Sequence, residues 1–135
     1  MNETLNRPLD ADWLERRRGY AAYARKMPRK RIEFPYIRHF SAEEMPALAH
    51  GLLPENGWDD RWFTLMSEGH VDLHRTWTGI LIFRIPLIPE GDGARAERAL
   101  ANGDPRSFGD FGATTEERTR YINDILNWAI TGYPR

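Results

Sequence analysis

"WDDRWFTLMSEGHVDLHRTWTGILIF", residues 58–83, decides the fold. Its apolar residues alternate with polar ones instead of recurring every three or four positions, and alternation is the period of a strand. Three strands follow: residues 61–67, 71–78 and 80–87. "SEGH" between the first two is a tight hairpin connection. In the first strand Trp62, Thr64 and Met66 share one face, and Phe63 and Leu65 share the other. In the second, Val71, Leu73, Arg75 and Trp77 alternate with Asp72, His74, Thr76 and Thr78. A hairpin turning near Gly69 sets residues 64 and 62 roughly opposite 74 and 76. The third is apolar on both faces apart from Arg84, as expected of a strand covered on both sides. Gly79 marks a bend or bulge before it.

Toward the N-terminus, residues 10–27 carry Trp13, Leu14, Tyr20, Ala21, Ala24 and Met27 at roughly helical spacing. Asp10 is placed to cap this helix and Pro28 to stop it, while Gly19 weakens it by about 1 kcal/mol. "PRKRIEFPYIRHF", residues 28–40, reads as an extended connection or an edge strand, because Pro35 has no N–H for a central ladder. Residues 41–52 read as a short helix with Ser41 and Glu44 at capping-box spacing. Pro46 either strains its first turns or stands at its true first position. "LLPENGWDD" is a turn-rich loop.

Beyond the strands, "PEGDG" is a loop and residues 94–101 read as a short helix stopped by "NGDP". "RSFGDFGA" is irregular. Thr114 and Glu117 form a second capping box for a helix over 115–131, whose core face is Tyr121, Ile122, Ile125, Leu126 and Ala129. The expected fold is α+β: a small antiparallel β-meander of three to four strands, with N-terminal and C-terminal helices packed on one face, in a single domain.

Composition removes several function classes. There are no cysteines, so disulfides and thiolate metal sites are excluded. No long apolar run spans a membrane, and the opening residues lack a secretory pattern, which points to a cytoplasmic protein. Charge is uneven: residues 1–40 hold ten Lys/Arg against five Asp/Glu, and 41–135 hold nine against fifteen. Such asymmetry suits either an anionic partner or a solvated helix face complementing an acidic body. His39, His50, His70 and His74 lack zinc-ligand spacing, so no metal and no cofactor is expected. No phosphate-loop, dinucleotide, zinc-protease or serine-hydrolase motif is present.

Chemistry concentrates at His74-Arg75-Thr76-Trp77. Arg75 offers a planar fork for phosphate or carboxylate, and Trp77 a flat face for a base. His74 and Thr76 form a polar pair on the opposite face, with His74 the candidate for proton transfer. Arg61, Trp62 and Thr78 complete the candidate ligand-binding set. The alternative is that Trp77 is core, that Arg75 pairs with Asp59, Asp60 or Glu68, and that His74 is a hydrogen-bonded structural histidine.

"DDRWFTLMSEGHVDLHRTWTGILIFRI" resembles a small bacterial domain with an acidic-basic-Trp-Phe segment, a short acidic turn and an HRSWTG-like strand. "LANGDPRSFGD" and "ILNWAITG" are similar to its asparagine-aspartate segment and closing helix. Thr76 stands where that pattern more often has serine, and the hydroxyl is kept. Such domains occur alone or attached to ADP-ribosylglycohydrolase-type enzymes, so the resemblance implies ADP-ribose or a related nucleotide. Two functions are therefore expected as alternatives. One is a domain that binds, or processes, an ADP-ribose-like nucleotide through His74 to Trp77. The other is a non-enzymatic protein-interaction module such as an immunity protein, an antitoxin or an adaptor. Nucleic acid, through the basic segment from Arg16 to Arg38, is the least favoured partner.

Overall fold

In a computed structural model, residues 10–67, 69–106 and 114–134 are described, without the side chain of Trp58. Helix α1 spans Ala11–Tyr23, strand β1 Arg31–Phe40 and helix α2 Met45–His50. Strands β2 (Trp62–Ser67), β3 (His70–Arg75), β4 (Leu81–Pro86), β5 (Ile88–Glu90) and β6 (Gly93–Asn102) follow, and helix α3 (Thr115–Thr131) closes the order. The class is α+β, as expected, but the antiparallel sheet has six strands, not three or four. Its order is β1-β6-β4-β3-β2, with β5 folded back on β6.

The additional strands come from two segments. Residues 31–40 form a full edge strand, paired with β6 from Arg31↔Asn102 to Phe40↔Ala94. Pro35 is tolerated because, among the described residues, no strand pairs on the outer side of β1. Residues 94–101, expected as a helix, are the interior strand β6 instead. Ala94, Ala96, Ala99 and Ala101 are buried there, and the last three join a core shared with Phe83, Ile122 and Ile125. The helical propensity of "ARAERALA" yields because small side chains fill the space between β1 and β4. The segment read as irregular, "RSFGDFGA", lies outside the described residues from 107 onward.

Helix boundaries follow their caps. Asp10 Oδ1 accepts from the Trp13 amide at 2.8 Å, but α1 ends at Tyr23, four residues short of the expected end, with Ala24 already extended. The reciprocal bonds of the Ser41–Glu44 box form, while the regular helix begins only at Met45, with Pro46 in its first turn. Thr114 Oγ1 caps α3 by accepting from the Glu117 amide at 3.2 Å.

The helices do not share one face of the sheet. Ile122, Ile125, Leu126, Ala129 and Ile130 of α3 pack into the main core with Trp62, Leu73 and Phe83. Trp13 of α1 packs instead with Leu53 and Phe63. Trp62 and Phe63 are neighbours on one strand and point to opposite sides. The sheet is therefore a middle layer at this end, with α1 behind it and α3 in front.

Candidate functional site

The β2–β3 hairpin sets the register of the candidate residues. Ser67 pairs with His70 across a turn at Gly69, whose φ is 86°. That short turn pairs Trp62 with Arg75 and Phe63 with His74, one position away from the expected pairing of 64 with 74. Strand β3 also ends at Arg75, and residues 76–78 are a turn rather than strand. The turn closes by Arg75 N donating to Ile80 O (3.0 Å) and Gly79 N donating to Arg75 O (2.8 Å). Thr76 N donates to Arg61 O (2.8 Å).

On the α3 side four of the expected residues meet. The Arg75 guanidinium lies 5.3 Å from the Trp62 ring centre and 5.1 Å from that of Trp77, and Arg61 lies 5.7 Å from Trp77. Cations and aromatic faces thus alternate, each contact contributing about 0.5–1 kcal/mol at exposed sites. Burial, and then the neighbouring Arg61 cation, push the Arg75 pKa down. A ligand anion would offset that repulsion.

Arg61, Trp62 and Arg75 line a cleft of about 640 Å³ with Asp59, Trp128 and Tyr133. The size falls within the range of small-molecule sites. Tyr133 fixes one wall: the Trp62 amide donates to its hydroxyl (3.0 Å), and that hydroxyl donates to the Trp62 carbonyl. Asp60 is buried and holds the neighbouring loop, accepting from the Glu55 and Asn56 amides at 2.8 and 2.9 Å. Trp128, Tyr133 and the Asp60 clamp escaped sequence reasoning, because α3 reaches this corner only through the tertiary fold.

His74, Thr76 and Thr78 lie elsewhere. His74 is buried behind the sheet, stacked on Phe63 with ring centres 4.8 Å apart and planes 6° apart. Its Nδ1 donates to the Gly79 carbonyl at 3.0 Å. The same carbonyl accepts from the Arg25 amide at 2.9 Å, so His74 ties the turn to the exit of α1. Thr78 Oγ1 accepts from the Ile80 amide within the turn. Thr76 lines a different cleft, and its buried Oγ1 has no hydrogen-bond partner among the described residues. Leaving such a hydroxyl unsatisfied costs about 1–3 kcal/mol. His74 and Arg75 therefore serve opposite sides of the sheet.

Burial pushes the His74 pKa below its usual 6.5, against the Gly79 bond, which raises it. The folded protein thus holds His74 neutral where the unfolded chain takes up a proton. The unfolded state binds more protons, so this contribution is complete above pH 6.5 and is lost as pH falls through 6.5 toward the folded pKa. Stability measured by denaturant titration is expected to decline over that window. His74→Gln should flatten the slope relative to the parent chain, and parallel slopes would refute the assignment to His74.

Gly79 makes the turn possible. Its φ is 74°, and a Cβ there would stand 2.6 Å from the Tyr23 carbonyl oxygen. Gly79→Ala is expected to cost at least about 2 kcal/mol, since left-handed backbone alone costs about 1–2 kcal/mol. Gly69→Ala is the control, because it shares the positive φ of 86° but its Cβ meets nothing within 4 Å. Equal losses in chemical denaturation would contradict the close approach of α1 to the turn.

The Asp72–Arg84 pair is structural in its contacts: Arg84 donates twice to one carboxylate, at 2.7 and 2.8 Å, across β3 and β4. Among the described residues no three His, Asp or Glu side chains gather to hold a metal ion, and no helix is long and apolar enough to cross a membrane. Comparison with known protein families, with curated proteins and with solved structures gave no match to this chain.

Proposed function

We propose that the chain binds an ADP-ribose-like nucleotide in the cleft between Arg61, Trp62, Arg75 and Tyr133. One observation carries this reading: two guanidiniums and two indole rings alternate at 5.1–5.7 Å beside a cleft of about 640 Å³. Arginine forks suit phosphate oxygens, and exposed aromatic faces suit a base. The roles divide accordingly. Arg75 and Arg61 take the phosphates, and Trp77 or Trp128 stacks the base. His74, behind the sheet, holds the turn that presents Arg75 and does not meet the ligand in this pose. Asp59, also on the cleft, is placed to accept from a ribose hydroxyl.

The test is the thermal stability of the purified chain against ADP-ribose, NAD, AMP and ATP. A ligand at about 100 times its dissociation constant adds roughly 2.7 kcal/mol, a rise of several degrees at this length. A flat response to every nucleotide sinks the reading.

A second reading, the protein-interaction module, draws on the sheet edge. Among the described residues, strand β1 has no strand paired on its outer side, and it exposes Ile32 (40%) and Ile37 (68%). Such an edge can accept a partner's strand. A complex that survives size exclusion and is broken by Ile37→Lys would favour it over the nucleotide.

A further inference from the structure

The cleft on the α1 side is separate from the one containing Arg75. It measures about 570 Å³ and is lined by Arg16, Gly19, Tyr20, Tyr23, Gly57 and Thr76. We propose that it is a second small-molecule site, taking a planar aromatic acid. The ring would lie against Tyr20 and Tyr23 and its carboxylate on Arg16, with Thr76 forming part of the wall.

Two positions of this cleft sacrifice stability for no gain within the fold. Gly19 stands in the interior of α1, where glycine is the poorest residue after proline. It is not required by packing, since a Cβ there meets nothing within 4 Å, nor by a positive φ. What its missing side chain does is leave helix backbone open to the cleft. Thr76 is the other, with its buried and unpartnered Oγ1. Local rules of foldability broken together at one cleft mark a functional site.

The remaining walls are prepared in advance. Tyr20 and Tyr23 rest on Phe63 at ring distances of 4.9 and 6.3 Å. Arg16 is held by its Nη2 donating to Pro54 O at 2.6 Å and by the Trp13 ring at 5.4 Å. That bond uses one of five N–H donors, and no carboxylate among the described residues pairs with Arg16. A fixed cation beside two tyrosine rings fits an aromatic ring bearing an oxyanion.

The experiment is a backbone-amide NMR titration of the whole chain with indole-3-carboxylate and with nicotinate at millimolar concentration, nicotinamide serving as the uncharged comparison. The expected result is saturable shifts at the Gly19, Tyr23, Gly57 and Thr76 amides, with nicotinamide roughly tenfold weaker than nicotinate. Thr76→Val should raise the melting temperature of the free protein, because it removes a buried hydroxyl with no partner among the described residues. Gly19→Leu should also melt higher, which shows it folded, and should abolish binding by filling the cleft. Arg75→Ala should leave these probes unaffected, which separates this site from the nucleotide cleft. No shifts with either acid, shifts confined to residues around Arg75, or binding untouched by Gly19→Leu would each overturn the proposal.

Discussion

Phe63→Ala is expected to cost about 3–5 kcal/mol, the range for deleting a buried phenylalanine. Phe63 is fully buried and is the buried sheet residue of the cluster that holds α1, with Leu65 packed beside it. His74 stacks on one part of it, and Tyr20 and Tyr23 approach at 4.9 and 6.3 Å. Trp13 and Leu53 complete this small cluster. A satellite core of three buried residues has little capacity to collapse around the void. With total stabilities of about 5–15 kcal/mol typical, the loss is a large share of what holds the chain folded. Urea denaturation measures it, and amide exchange of α1 should rise before that of α3. Ile37→Ala, at a site 68% exposed, should change stability by no more than about 0.5 kcal/mol. A loss below about 1 kcal/mol at Phe63 would mean that α1 does not dock there.

Arg75→Ala is expected to remove the nucleotide-induced rise in melting temperature. A charge-assisted bond to phosphate contributes about 1.5–3 kcal/mol, so its loss weakens binding by roughly ten- to a hundredfold. The fold should survive, because Arg75 sits at the end of β3 and its stacking on Trp62 and Trp77 contributes only about 0.5–1 kcal/mol per contact. Arg75→Lys is the informative companion. It keeps the charge and loses the planar fork, so it should recover part of the affinity at most. Unchanged affinity in Arg75→Ala, with the parent responding to ADP-ribose, would remove Arg75 from the site while leaving nucleotide binding intact.

The legible parts of the fold were those where local chemistry and tertiary packing agree. Thr114 and Glu117 announced α3, and its bounds, Thr115–Thr131, fall where the capping box placed them. The alternation from Trp62 to Trp77 gave β2 and β3, and the apolar run from Ile80 to Ile85 gave β4. Strand β6 was hidden because its buried residues are alanines, which read as helix formers until neighbours on both sides are known. Its alternation, Ala94 with Ala96 and then Ala99 with Ala101, was visible but carried by residues with little apolar surface.

The site was legible in a similar, partial way. Alternation correctly put Arg75 and Trp77 on one side and His74 and Thr76 on the other, even though 76–78 form a turn. The number of residues in the Gly69 turn, which sets what faces Arg75, could not be counted from pattern alone. Trp128, in the last turn of α3, and Tyr133, just beyond it, come from a part of the chain with no local link to β3.

The strand order has a consequence for how the chain reaches its native state. Strands β2, β3 and β4 are joined by short turns and can zip together early. Among the described strands β1 pairs with β6 alone, joining Arg31 to Asn102, so it waits for most of the chain to be made and placed. Until then Phe34, Tyr36 and Phe40, buried in the finished sheet, remain uncovered on an extended segment. The arginines and lysines at 25, 26, 29, 30 and 31, directly ahead of that segment, then act as gatekeepers, their mutual repulsion keeping unfinished chains apart.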